Sequence, residues 1–268
     1  MNPSRRKFLR VAAGTAGLAL ATRAPGVVAR PVFGGAGAPG AGNRSGRLQA
    51  VAFDAFPVFD PRPIGSLAEQ LFPGRGTELT NAWRIRQFEY TWLRTVAGRH
   101  VDFWKVTEDA LVWAAKSLKL ELGPSHRERL LEAHLGLKPW PDAPAALHSL
   151  REAGFRLAFL SNFTPRMLGS CIQASGLEGI FEHVLSTEQV FTFKPDRRAY
   201  QLGVDAFGLR PQQVAFVAHA GWDAAGAKWF GYPTFWINRL GLPPEELTAL
   251  PDATLGNLTE LATALRQQ

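Results

Sequence analysis

Short, almost wholly apolar runs recur along the chain, each leading to a polar residue, with helical segments between them. Residues 48–53 lead to Asp54, 156–160 lead to Ser161-Asn162, 214–218 precede Asp223, and 234–238 come last. Runs this short, without polar alternation, read as parallel strands covered on both faces. The segments 143–153, 165–175, 197–207 and 223–229 between them carry apolar residues at helical spacing, with a weaker strand at 183–186 and a closing helix at 260–266. Such alternation predicts a doubly wound α/β fold, a parallel sheet with helices on both faces. No GxGxxG follows a strand and no P-loop is present, so dinucleotide and NTP binding find no support.

In an open sheet of this kind the C-terminal strand ends lie side by side and form the ligand crevice. Asp54, Ser161, Lys194 of Thr192-Phe193-Lys194-Pro195-Asp196, and Asp223 are therefore expected at one place. A carboxylate, a hydroxyl, an ammonium and a second carboxylate together suit a covalent aspartyl intermediate, with Asp54 as nucleophile. Between Asp54 and Ser161 the rhythm changes. Residues 78–96 carry Trp83, Phe88, Trp92, Leu93 and Val96 at helical spacing, 106–118 repeat the pattern, and 127–135 add a further helix. With no convincing strand here, residues 64–137 read as an all-helical cap domain inserted into a core made of 48–63 and 138–268. Trp83, Trp92, Trp104 and Trp113 are expected in the cap's own core, and Arg86 and Arg94 on a solvated helix face.

Composition sets further bounds. With 268 residues, 46% of them hydrophobic, the chain can bury a real core. The net charge of +7 comes from residues 1–47, where Arg5, Arg6, Lys7, Arg10, Arg23, Arg30, Arg44 and Arg47 meet no acidic residue. Without those eight, 22 basic residues face 23 acidic ones, a net of −1, so the basicity does not point to a nucleic-acid partner. Arg5-Arg6-Lys7 before the short Gly/Ala-rich stretch 11–21 resembles a twin-arginine signal peptide, too short to span a bilayer, and 34–42 form a flexible linker. Residues 1–47 are thus expected to send the folded body to the periplasm through the twin-arginine export machinery, with no stable membrane insertion. Cys171, the only cysteine, forms no intramolecular disulfide and reads as a buried helix residue rather than a nucleophile.

Phe53-Asp54-Ala55-Phe56, Trp83-Arg84 with Glu89-Tyr90-Thr91-Trp92-Leu93-Arg94, Leu160-Ser161-Asn162, Lys194-Pro195-Asp196 and Trp222-Asp223-Ala224-Ala225-Gly226-Ala227 together resemble the haloacid dehalogenase (HAD) superfamily. More narrowly, they are similar to its (S)-2-haloacid dehalogenases, from Leu48 to the C-terminus. The resemblance implies a Rossmann-like, HAD-like core with a helical cap. It also implies hydrolytic dehalogenation of short 2-haloacids to 2-hydroxy acids through an ester on Asp54. By the same resemblance Arg84 stabilises the departing halide with Asn162 assisting. Ser161 and the Asn162 backbone hold the substrate carboxylate, and Lys194 offsets the charges of Asp54 and Asp223. Tyr200 is carried over as an active-site residue, and Phe56, Phe88, Phe103 and Trp222 as the apolar wall that dries the pocket. No cofactor or metal is implied. The 2-haloacid and water are the small-molecule partners, and a homodimer through the cap is the implied assembly.

Phe56 separates this branch from the superfamily's phosphatases, which place a second Asp there as general acid and bind magnesium. A halide leaves without a proton, so an aromatic suits dehalogenation and serves phosphate ester hydrolysis poorly. The chain also departs from the family. Pro57-Val58 replaces Gly-Thr, and Ala218 and Ala220 stand where Ser and Asn hold the hydrolytic water and Asp223. These changes put turnover of the ester in question and leave two alternatives, a divergent HAD phosphatase and a HAD-fold binding protein that does not turn over. His219, four residues before Asp223, could supply a compensating base; the plainer expectation is an imidazole facing away and bonded to backbone at the strand end. A metal site made of Asp54, His219 and Asp223 has only sequence proximity behind it.

Overall fold

The computed structural model describes residues 47–267, so the expected export signal lies outside the described residues. Strand β1 (Ala50–Phe53) ends at Asp54, which caps a single helical turn, α1 (Ala55–Val58). Four helices follow without a strand: α2 (Arg62–Leu71), α3 (Gly76–Ala97), α4 (Phe103–Ser117) and α5 (Pro124–Glu132). Alternation then begins with α6 (Ala143–Glu152), β2 (Arg156–Ser161), α7 (Pro165–Ser175), β3 (His183–Ser186) and α8 (Arg197–Phe207). It continues through β4 (Val214–Ala218), α9 (Gly221–Phe230), β5 (Thr234–Ile237), β6 (Ala253–Leu255) and α10 (Leu258–Arg266). Among the described residues no helix is long and apolar enough to cross a membrane.

All strand pairs are parallel and the order is β3-β2-β1-β4-β5-β6. Period-two alternation of side chains explains why these strands carry no polar face. Val51, Phe53, Leu157, Phe159, Ala215 and Val217 pack on one side with Leu147 and Leu150 of α6, Met167 and Leu168 of α7, and Leu261 of α10. Their neighbours Ala50, Ala52, Ala158, Leu160, Phe216 and Ala218 pack on the other with Tyr200 and Phe207 of α8 and Ala227 and Phe230 of α9. The expected doubly wound architecture is present.

The helical segment is rooted at two crossings that run side by side. Asp60 N–H donates to Lys138 O (2.8 Å) and Trp140 N–H to Val58 O (2.9 Å). Within the segment, the buried Trp83 indole donates to Thr107 O (2.8 Å) and Gln87 Nε2 to Thr107 Oγ1 (2.7 Å), which locks α3 to α4. Two tryptophans depart from the expected core positions. Trp92 and Trp113 are 37% and 38% exposed. Trp92 rests edge-on against Trp222, and Trp113 carries the Arg86 guanidinium 3.4 Å over its ring. Arg86 is therefore stacked and paired with Glu89 (3.0 Å) instead of freely solvated. Three elements lie beyond the sequence expectation: α1, α2 and β6.

Candidate active site

Strand ends deliver the site. Asp54 directly follows β1, and its N–H donates to Val217 O on β4 (2.9 Å). Ser161 closes β2, Lys194 follows β3, and Asp223 sits in the first turn of α9 just beyond β4. Strands β1 and β4 are the neighbours at which the strand order reverses, where an open sheet parts to admit a ligand. The Lys194 ammonium lies between the two carboxylates, 2.9 Å from Asp54 Oδ1 and 2.7 Å from Asp223 Oδ2, with only 1% of its side chain exposed.

Charge balance sets the protonation states. Burial would raise the pKa of Asp54, but the charge and hydrogen bond of Lys194, with help from His219 and the Phe56 N–H, hold it below the ordinary carboxylate value. Burial likewise acts against the Lys194 ammonium, and the two carboxylates outweigh it and raise its pKa. Asp223 fares differently. Burial lifts it to about 6, and the negative Asp54 adds to the lift that Lys194 and Tyr200 oppose. The result is an ionised Asp54 beside a carboxylate that can take up a proton near neutrality. Asp54 Oδ1 accepts from both Lys194 Nζ and Ser161 Oγ (3.2 Å), while Oδ2 accepts only the Phe56 N–H at 3.3 Å. Oδ2 is the less engaged oxygen.

Asp54 opens onto a small cavity walled by Phe56, Phe88, Phe103, Phe163 and Trp222. The rings support one another: Phe56 meets Phe163 edge-on at 5.2 Å, and Phe88 meets Trp222 at 5.1 Å. Arg84 of α3 lines the same space and forms no ion pair among the described residues. Its surface is reached from the cavity, yet the surrounding atoms strip its hydration and lower its pKa, against the pull of Asp54. An apolar pocket with one unpaired cation facing an ionised carboxylate can bind a small anion and expose it to a nucleophile. Two buried wall atoms, His219 Nδ1 and Trp222 Nε1, have no protein partner and are free to bond a water or a ligand.

Comparison with known proteins bears on what this arrangement is. Residues 41–231 match the family model described as haloacid dehalogenase-like hydrolase. The chain belongs to that family. An (S)-2-haloacid dehalogenase of Pseudomonas sp. strain YL is 40% identical over 206 residues, covering 76% of this chain and 89% of the relative. A crystal structure of an L-2-haloacid dehalogenase superposes with a TM-score of 0.81 at 41% identity, covering 82% of this chain and 99% of the other. The Xanthobacter autotrophicus L-2-haloacid dehalogenase, solved with chloropropionic acid covalently bound, gives a TM-score of 0.74 at 33% identity over 82% and 98%.

Within this family frame, most residues singled out from the sequence converge. Asp54, Phe56, Arg84, Phe88, Phe103, Ser161, Asn162, Lys194, His219, Trp222 and Asp223 all line one cavity. Tyr200 does not. It is fully buried behind Asp223, donating its hydroxyl to Asp223 Oδ1 at 2.7 Å, so it holds a carboxylate and does not line the cavity. Gly226 makes that approach possible, because a Cβ there would lie 2.5 Å from the Tyr200 hydroxyl. The expectation for His219 is also corrected. Its ring turns into the cavity, 5.8 Å from Phe56, and Nδ1 has no backbone partner. Burial and the nearby Arg84 depress its pKa to about 4, so the imidazole is neutral at ordinary pH. No three-residue group of His, Cys, Asp and Glu among the described residues is placed to hold a metal, and the Lys194 ammonium lies between Asp54 and Asp223.

Two contributors escaped the sequence reading. Phe163 completes the wall, and its position directly after Ser161-Asn162 was an available signal. Thr187, just beyond β3, donates to Asn162 Oδ1 (3.2 Å), which also accepts the Lys194 N–H (3.0 Å). These bonds fix the amide oxygen inward and leave Nδ2 as its donor end. Cys171 is buried in α7 with its thiol pushed up to about 11 by burial, the inert helix residue expected.

Proposed function

We infer that the protein is a hydrolase acting on carbon–halide bonds, converting 2-haloacids to 2-hydroxy acids and halide. The observation that carries this reading is an ionised Asp54 facing an apolar cavity, with Phe56 where an acid would serve a leaving oxygen and Arg84 unpaired across the space. Asp54 Oδ2 attacks C2, the carbon–halogen bond breaks, and the halide leaves with the bonding pair towards Arg84, with the Asn162 amide assisting. The substrate carboxylate takes the Ser161 hydroxyl and the Asn162 backbone. Water then adds to Cγ of Asp54, giving one proton to Asp223; the Cγ–Oδ2 bond breaks, the leaving oxygen takes the water's remaining proton, and the 2-hydroxy acid departs from a restored Asp54 carboxylate. Lys194 keeps Asp54 ionised for the attack and receives it again as a carboxylate when the ester is cleaved. The helices of residues 64–137 act as a cap over this site. A phosphatase reading lacks its acid at Phe56. The exposed α3 side chains Ile85, Leu93 and Val96 support a homodimer, and Arg5-Arg6 before an apolar stretch supports export to the periplasm.

This route predicts where the water oxygen goes. In a single turnover of (S)-2-chloropropionate in H₂¹⁸O, with enzyme in excess, label should appear in the Asp54 carboxylate and not in the product hydroxyl, as read by peptide mass. Label in the product alone would rule out the ester. An adduct on Asp54 that never clears would instead mark a binding protein without turnover, the outcome that the alanines at 218 and 220 make worth testing.

Asp223 also predicts a pH limb. Its carboxylate form accepts the proton and is lost as pH falls through about 6, so ester hydrolysis should slow below that value. Esterification removes the Asp54 charge that helps hold Asp223 up, which places the limb at or somewhat below 6. His219, the compensating base proposed from the sequence, would give a limb near 4. Rapid-quench hydrolysis rates across pH in the protein and in His219→Gln separate the two. A limb unmoved by that substitution assigns the proton to Asp223, and its disappearance assigns it to His219.

A further inference from the structure

Four residues of the reactive cavity, Phe56, Arg84, Phe88 and His219, also line a second, larger chamber. Helix α2 contributes Ile64 and Gly65, α3 contributes Trp83, and Trp140 stands before α6. The polar groups of this wall are largely occupied. The Trp140 indole donates to Phe56 O (3.0 Å), and Trp83 and Gln87 are tied to Thr107. Arg62 and Arg239 are paired with Asp60 and Asp142 and lie over the Trp140 ring at 4.6 and 4.4 Å. His134 bonds to the carbonyls of Leu130 and Leu131, and burial depresses its pKa to about 4, leaving it neutral. Arg84, Asn81 and His219 are the polar side chains left over, and the rest of the unengaged lining is aromatic and aliphatic, suited to an apolar group.

We propose that this chamber receives the substituent on C2, so that the protein acts on 2-haloacids with extended apolar side chains beyond the short acids of the family resemblance. The proposal rests on the dehalogenase reading. In a 2-haloacid the carboxylate and the halogen both have partners in the small cavity. A C2 methyl meets the aromatic rings of the small cavity, and a longer substituent outgrows it towards the chamber that borders it across Phe56, Arg84, Phe88 and His219. Each methylene buried there is worth about fourfold in binding.

The test compares kcat/KM for (S)-2-bromohexanoate and (S)-2-bromopropionate in the protein and in two chamber-filling variants. Gly65 has nothing within 4 Å of an added Cβ, so Gly65→Phe builds into open space. Thr80→Phe fills the chamber independently from α3. The unmodified protein should favour the longer acid by at least about tenfold, mainly through KM, and each filling variant should erase most of that preference. A preference for the shorter acid, or the same ratio in all three proteins, overturns the subsite while dehalogenation stands. Halide release from neither acid overturns both.

Discussion

Asp54→Asn is expected to abolish halide release from (S)-2-chloropropionate, with a fall of more than about 10⁴-fold, the scale seen when a nucleophile is removed. The amide matches the carboxylate in size, and the Lys194–Asp223 pair survives beside it, so the fold should persist. What disappears is the anionic Oδ2 lone pair aimed into the cavity. Halide electrode traces and intact-protein mass after incubation with the haloacid read the two consequences together: no halide and no adduct. Release at the unmodified rate would remove Asp54 from the chemistry and with it the covalent route. The aromatic wall of Phe56, Phe88, Phe103, Phe163 and Trp222 offers no nucleophile to substitute for this one.

Lys194→Met should produce the second large loss, acting on both activity and stability. Removing the ammonium leaves Asp54 and Asp223 close together and buried without their shared counter-charge. Without the ammonium that holds it down, burial and the neighbouring carboxylate raise the pKa of Asp54, so less of the nucleophile is ionised at a given pH. A fall in kcat/KM of at least about 10²-fold is expected, comparable to losing a preorganised electrostatic contact. Breaking one side of a buried ionic network typically costs about 3–5 kcal/mol of stability, measurable as a lower urea midpoint. The sign can be checked by pH. Activity in this variant should recover as pH rises above neutrality, because high pH ionises the uncompensated Asp54. A variant that stays dead across the whole range while remaining folded would mean that Lys194 contacts substrate directly.

Much of the fold was legible because element periodicity is a local property. β2, α7, β3, α8 and β4 run over the same residues in the sequence reading and in the structure. α2 was hidden by its composition. Pro63 and Gly65 are poor helix formers, yet Pro63 lies at the helix start, where a missing N–H costs nothing, and Ile64 and Ala68 are buried. Strand β6 has three residues and no fully buried position, too little for a period to show. The site divides similarly. Asp54, Ser161, Lys194 and Asp223 could be grouped in advance because parallel strands put their C-terminal ends together. Tyr200 could be placed near them but its role could not, since a helix residue near the site can face cavity or core.

By itself, then, the sequence determined an α/β sheet, a helical insertion and the residues that meet at its C-terminal edge, because short apolar runs and their polar ends are encoded within a few positions of one another. Only the tertiary structure decided how those residues are used. Lys194 reaches Asp54 across 140 positions of chain, His219 turns inward without a backbone partner, Tyr200 stands behind Asp223, and a second chamber adjoins the first. Side-chain direction and cavity volume arise where distant segments pack, and no local period carries that information.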